Sequence, residues 1–180
     1  MKLSKKYLIF SIIISVLALA INIYIIVHSC LDGATSSNAS KGVVDVSEDI
    51  VNTIAPGTVT PANHDDFATF IRKAFGHFGL FLISGLLSSL TVYLWLNPVK
   101  WSKYWHLILI SLGFGLFMGI LTEVIQLNVD GRSGQFSDVL IDSSGYILGF
   151  GIIFLILLLV IRKQNKKHQT TNIQPSADAK

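Results

Sequence analysis

Residues 122–138, TEVIQLNVDGRSGQFSD, form a short polar stretch between two long apolar runs. The preceding run begins near residue 104, and the following run extends to residue 161. The hydrocarbon core of a membrane is about 30 Å thick and needs roughly 20 apolar helical residues to cross it. Each run is long enough, so the polar stretch predicts a tight connection between two transmembrane helices.

Two further segments reach the same length. Of the 180 residues, 51% are hydrophobic and only 14% are charged, which lies outside the range of soluble domains. The predicted spans are Tyr7–Val27, Phe75–Leu96, Tyr104–Leu127 and Val139–Ile161. We expect an all-α integral membrane protein, a four-transmembrane-helix bundle with a ~45-residue outer loop (residues 28–74) after the first helix. This arrangement leaves no room for a second folded domain.

The basic residues predict an orientation. Lysine and arginine near span ends are retained in the cytoplasm. Ten of the fourteen fall on one side of the four-span arrangement: Lys2, Lys5, Lys6, Lys100, Lys103, Arg162, Lys163, Lys166, Lys167 and Lys180. Both termini, residues 1–6 and a disordered tail over 162–180, are therefore expected in the cytoplasm. Orientation and attraction to anionic lipid account for the net charge of +3, with no nucleic-acid partner.

The outer segment has two parts. LDGATSSNASKG (31–42) is rich in small polar residues and predicts a flexible linker. VVDVSEDIVNTI (43–54) places Val43, Val46, Ile50 and Ile54 on one helical face, which predicts a short interfacial helix resting on the bundle. We expect the next helix to run from about Phe67 into the second span.

The single cysteine, Cys30, excludes an intramolecular disulfide. The residues before it, VHSC (27–30), loosely resemble the end of a lipoprotein signal, so cleavage there is an alternative to a retained first span. The apolar run is longer than the usual signal core of 7–15 residues, and a histidine two residues before the cysteine is atypical. A retained first span is therefore favoured.

Three of the spans carry a stripe that combines small and ionisable residues at helical spacing. The stripes are Lys73, His77, Phe81, Ser84 and Ser88; Gly115, Gly119, Glu123 and Gln126; and Asp138, Asp142, Gly145 and Gly149. Small residues let helices approach closely, and ionisable residues in a membrane helix usually face the bundle interior. We expect the stripes to face one another, with Asn22 of the first span forming a helix–helix hydrogen bond.

Depth along the helices supports a common site. His77, Glu123 and Asp142 each lie about one turn from the outer end of a predicted span. One polar site in the outer leaflet is therefore predicted from Arg72, Lys73, His77, Glu123, Gln126, Arg132, Asp138 and Asp142.

These residues occur in a recognisable order: RKAFGHF (72–78), EVIQ (123–126), GR (131–132), SDVLIDSSG (137–145) and LG (148–149). The order and spacing resemble the VanZ-like family, and the resemblance covers all four spans. It carries the family's polar positions onto the eight residues above, although many relatives have asparagine where this chain has Asp142. The resemblance implies a cell-envelope role in a Gram-positive bacterium. Resistance to the lipid-tailed antibiotic teicoplanin, without comparable vancomycin resistance, is the function associated with the family's namesake.

Three interpretations of the site remain open. In the first, it binds the anionic head group of a membrane lipid or lipid-linked envelope precursor, with Arg72, Lys73 and Arg132 contacting phosphate. Gln126 and Asp142 complete that candidate binding set. In the second, Glu123 or Asp138 acts as a general base and His77 as its acid–base partner. In the third, Arg72 or Arg132 pairs with Glu123 and Asp138, and the cluster only locks the helices together.

A cofactor and a resident metal are not expected. His77, Glu123, Asp138 and Asp142 could hold a metal, but they do not follow a fixed metal-binding spacing such as HExxH. Transport is disfavoured because the inner halves of the spans are nearly free of ionisable groups. The sequence sets no oligomeric state.

Overall fold

A computed structural model describes residues 4–96 and 102–172, and the regular secondary structure of these residues is entirely helical. The elements are α1 (Lys5–Ser29), α2 (Gly33–Ile54), α3 (His64–Ile71), a π-helical segment (Arg72–Gly79), α4 (Leu80–Leu96), α5 (Ser102–Gln126) and α6 (Phe136–Asn172). Four helical stretches are long and apolar enough to cross a membrane: Lys5–Ser29, His64–Leu96, Trp105–Gln126 and Phe136–Val160. The all-α, four-span fold class is thereby confirmed.

Close contacts between α4 and α6 form the centre of the bundle. A Cβ added at Gly145 would meet the carbonyl oxygen of Phe78, and one added at Gly149 would meet that of Leu82. On the opposite helix, a Cβ at Gly85 would meet the backbone of Tyr146. These glycines let the two backbones touch, as small residues do between membrane helices generally.

Hydrogen bonds join α1 to α4. The hydroxyl group of Ser84 donates to Oδ1 of Asn22 at 2.9 Å, and the Asn22 amide donates to Oγ of Ser88 at 3.1 Å. The helix–helix hydrogen bond predicted for Asn22 is therefore present. These hydrogen bonds satisfy the Asn22 amide, which is buried between the two helices together with its serine partners.

The outer segment differs most from the sequence prediction. Residues 33–42 of the predicted flexible linker belong to helix α2, whose first turn is capped by Asp32. The Asp32 carboxylate accepts hydrogen bonds from the backbone N–H of Thr35 at 2.9 Å and from its hydroxyl group at 2.6 Å. Gly33 also packs against the backbone of Gly131, and its N–H donates to the Asp130 carbonyl at 3.0 Å. Capping and tertiary contact together override the low helix propensity of this composition.

Helix α2 contacts the rest of the protein through Val44. Val44 is buried against Ala68 and Ile71 of α3, so α2 does rest on another helix. The four residues of the predicted apolar face are exposed: Val43, Val46, Ile50 and Ile54.

Two helix boundaries differ from those predicted. The helix predicted to run from about Phe67 into the second span begins at His64, and α3, the π segment and α4 are continuous. The fourth helix runs to Asn172 rather than ending at residue 161, so its last part covers residues predicted as a disordered tail. Residues 1–3 of the predicted N-terminal segment and residues 173–180 of the tail lie outside the described residues.

Candidate functional site

The polar residues of the three stripes meet at one end of the bundle, which we call the polar end. It is formed by the π segment, the end of α5, the start of α6 and the first half of α2. A cavity of about 470 Å³ lies there, within the 300–1,000 Å³ typical of ligand sites. Seven of the eight predicted site residues line it: Arg72, Lys73, His77, Gln126, Arg132, Asp138 and Asp142. The eighth, Glu123, is buried next to Thr122, which also lines the cavity.

The first ion pair of the site joins the π segment to α6. Nζ of Lys73 lies 2.5 Å from Oδ1 of Asp138, and the aspartate is buried. The same ammonium group approaches the side-chain oxygen of Gln135 at 3.4 Å. Asp138 is therefore neutralised by its own partner on the neighbouring helix.

A histidine–aspartate pair lies deeper along the same two helices. Nδ1 of His77 is 3.0 Å from Oδ1 of Asp142, whose side chain is completely buried. The other ring nitrogen is 4.0 Å from Oδ2 of Asp138. Thr122 of α5 approaches Oδ2 of Asp142 at 3.4 Å. The imidazole ring is thus oriented mainly by Asp142.

Glu123 anchors the connection between α5 and α6. Its Oε2 accepts a hydrogen bond from the backbone N–H of Gln135 at 2.8 Å. A Cβ added at Gly134 would lie 2.7 Å from the Glu123 carbonyl oxygen, so glycine permits this close approach. The other carboxylate oxygen, Oε1, is buried and has no hydrogen-bond partner among the described residues.

The two arginines of the site form no ion pair with a carboxylate of the described residues. Arg132 donates a hydrogen bond to Oγ of Ser36 at 2.5 Å, and Nε of Arg72 is buried without a partner in the described part of the chain. Neither guanidinium group lies within 4 Å of a carboxylate in residues 4–96 and 102–172. The arginine–carboxylate lock considered from the sequence is therefore not formed.

Arg132 lies in the α5–α6 loop, outside the membrane-spanning helices. Partial burial lowers the pKa of its guanidinium group, the nearby carboxylates of Glu123 and Asp138 oppose that shift, and Arg72 adds to it. The group remains charged because its ordinary pKa is far above neutrality. A partly desolvated cation of this kind interacts strongly with an anion that enters the cavity.

Several residues at the site could not be found from spacing along the spans. Ser36 comes from the presumed linker, and Gln135 contributes its backbone N–H. Tyr24 and His28 of α1 line the cavity as well. The π-helical geometry of Arg72–Gly79 was also missed, although π segments are frequent at functional sites. In the sequence, Gly33 and Gly131 were the signals that could have indicated the contact between α2 and the α5–α6 loop, because these glycines allow the two backbones to approach closely.

The fold and the site together define a multi-pass helical membrane protein with a buried polar cluster at one end of its bundle. The sequence model of the VanZ/LLP1 family matches residues 10–159. The chain therefore belongs to the VanZ/LLP1 family, as the resemblance predicted. No curated protein and no solved structure matches the chain.

Proposed function

We propose that the cavity binds the anionic head group of a membrane lipid or of a lipid-linked envelope component. The observation that carries this proposal is that two arginines on the wall of one cavity, Arg72 and Arg132, have no carboxylate partner in the described part of the chain. Guanidinium groups suit phosphate because their planar fork can donate two parallel hydrogen bonds. Lys73 contributes less free charge because Asp138 neutralises it.

The rim of the cavity supports an amphiphilic ligand over a free anion. Tyr24, Val43 and Phe75 all line the cavity, and each is exposed at its side chain. Apolar groups beside a cationic interior match a molecule with a charged head and a hydrocarbon chain. A phospholipid or polyprenyl-phosphate precursor has this chemistry.

Binding is tested with the purified full-length protein in detergent, titrated with phosphatidylglycerol or a short-chain polyprenyl phosphate. Arg72→Gln and Arg132→Gln are each expected to weaken binding about tenfold or more, because a hydrogen bond to a charged group contributes about 1.5–3 kcal/mol. Lys41→Gln is the matched control, since Lys41 is an exposed cation of α2 outside the cavity lining. Equal affinity in all three variants would refute the proposal. Titration with inorganic phosphate distinguishes a lipid head group from a free anion as the ligand. If phosphate bound as tightly as the lipid, the apolar rim would contribute nothing to binding.

We further propose that this binding lowers sensitivity to lipoglycopeptides such as teicoplanin. The family resemblance supports this role, and a site for envelope lipids offers a physical route to it. The test is expression in a susceptible Gram-positive host, with teicoplanin and vancomycin susceptibility measured in parallel. Arg132→Gln should lose protection against teicoplanin while its membrane abundance matches that of Lys41→Gln. Loss of protection only where abundance falls would instead favour a purely structural cluster.

A second candidate function is acid–base catalysis on an envelope lipid. The His77–Asp142 hydrogen bond favours it, because a carboxylate that orients an imidazole is a recurring arrangement for a general base. Glu123 offers a second titratable group, whereas Asp138 is engaged by Lys73. An enzyme would change the composition of lipid extracts, and the change would vanish in an abundant Glu123→Gln variant. Unchanged extracts on expression of the native chain would argue for binding alone.

The orientation proposed from the basic residues has both termini in the cytoplasm and the polar end facing outward. Single cysteines at positions 102 and 133 in a Cys30→Ser background test it. A membrane-impermeant thiol reagent should label intact cells at 133 and not at 102. The reverse pattern would overturn the orientation.

A further inference from the structure

We infer that His77, Glu123 and Asp142 together form a binding site for one divalent metal ion. The three residues come from the π segment, α5 and α6, and each offers a ligand atom within 4.8 Å of the others. This inference goes beyond the head-group proposal and does not depend on it.

Charge balance supports a cation at this position. Lys73 neutralises Asp138, which leaves the carboxylates of Glu123 and Asp142 beside the imidazole of His77. Glu123 is 5% exposed and Asp142 is 0% exposed. A buried carboxylate is neutralised by a proton, by a paired cation or by a metal ion. Two ionised carboxylates and a neutral imidazole together carry two negative charges, and one divalent cation offsets both.

The ligand atoms already have the support that metal ligands usually need. One oxygen of Glu123 is held by the Gln135 N–H, while its other oxygen is buried without a partner among the residues described. Thr122 approaches the second oxygen of Asp142 at 3.4 Å. Such outer contacts fix the orientation of metal-binding side chains. No contact among the described residues satisfies this second oxygen of Glu123, and a bound metal ion would supply the missing partner.

The donor set indicates the class of metal. One imidazole nitrogen with two carboxylates suits Zn²⁺ or Mn²⁺, whereas Mg²⁺ and Ca²⁺ prefer oxygen ligands alone. In tetrahedral coordination, metal–ligand bonds of about 2.0–2.2 Å place ligand atoms roughly 3.3–3.6 Å apart, so separations of up to 4.8 Å require the side chains to close by roughly 1.2–1.5 Å. Three protein ligands leave further coordination positions open. His77 and Asp142 line the cavity, so an open position can face a ligand there.

The test uses the purified full-length protein in detergent, with its affinity tag removed and bound metal stripped by a chelator. Zn²⁺ and Mn²⁺ are titrated without added lipid, and bound metal is counted by mass spectrometry after desalting. We expect one ion per chain, bound about tenfold or more weakly in Glu123→Gln and Asp142→Asn. Glu48→Gln is the matched control, because Glu48 forms another histidine–carboxylate pair at 3.0 Å with His64, away from the site. That variant should bind metal as the native chain does.

A second measurement does not depend on the stability of the glutamate variant. Pulsed electron paramagnetic resonance of bound Mn²⁺ should show coupling to a histidine nitrogen that disappears in His77→Gln. Absence of stoichiometric metal, nitrogen coupling that persists in His77→Gln, or equal loss in Glu48→Gln would each overturn the inference. Mg²⁺ binding as tight as Zn²⁺ binding would overturn the assigned metal class. Because no lipid is present, failure of the head-group proposal leaves these outcomes unaffected.

Discussion

Replacing Gly145 by alanine should separate the π segment from α6 beside the candidate site. The added Cβ would meet the carbonyl oxygen of Phe78 closer than any real Cβ contact, so one helix backbone must move. Gly151→Ala is the matched control, because it lies on the same helix and its Cβ would meet nothing within 4 Å. Both changes raise helix propensity equally, by up to about 1 kcal/mol.

The difference between the two variants therefore isolates the steric effect. Overpacking of a filled interior costs about 1–3 kcal/mol. We expect Gly145→Ala to be less stable than Gly151→Ala by that amount, and the shift at Phe78 to displace its neighbour His77. The free energy of unfolding can be measured by titration with a denaturing detergent in mixed micelles, followed by tryptophan fluorescence. Two variants within about 0.5 kcal/mol of each other would refute the close helix contact, since the overpacking cost would then be missing.

Further predictions concern α2 and the first span. Gly33→Ala should speed amide exchange at the start of α2 because its Cβ would meet the Gly131 carbonyl oxygen, whereas Gly42→Ala, with nothing within 4 Å, should not. Hydrogen bonds from Thr35 lower the pKa of Asp32, so the cap is present above the unfolded pKa and is lost as pH falls through the lower folded value. Exchange at this turn should rise at acid pH in the native chain and be fast at every pH in Asp32→Ala. Asn22→Leu should cost about 0.6–1.7 kcal/mol in the detergent titration, because it removes the interhelical hydrogen bonds; no loss would mean that these bonds are absent in the membrane.

Much of the site could be predicted because helical periodicity is a local property. The spacing of Glu123 and Gln126 with the glycines before them placed one face of α5 toward the bundle, and those residues are buried. His77 and Asp142 were expected at the same level, and they lie in hydrogen-bond contact. Alignment of stripes on separate helices follows from the cost of exposing ionisable groups to lipid.

The partners within the cluster could not be predicted in the same way. Periodicity says which face a residue occupies and nothing about which of several charges across an interface lies nearest. The sequence suggested the arginines as partners for the carboxylates. In the structure, Lys73 forms an ion pair with Asp138, and Arg132 donates a hydrogen bond to Ser36. A π-helical turn and the closeness of Gly33 to Gly131 set these distances.

The sequence by itself determined that the chain is a four-span helical membrane protein of one recognisable family, because apolar length and the order of polar residues are carried along the chain. Only the tertiary structure decided that residues 33–42 fold as the first half of α2 and close one wall of the cavity. Their composition favours a loop, and the contacts that reverse this preference come from a loop nearly a hundred residues away. The cavity, and the position of the two arginines on its wall, therefore depend on packing between distant segments.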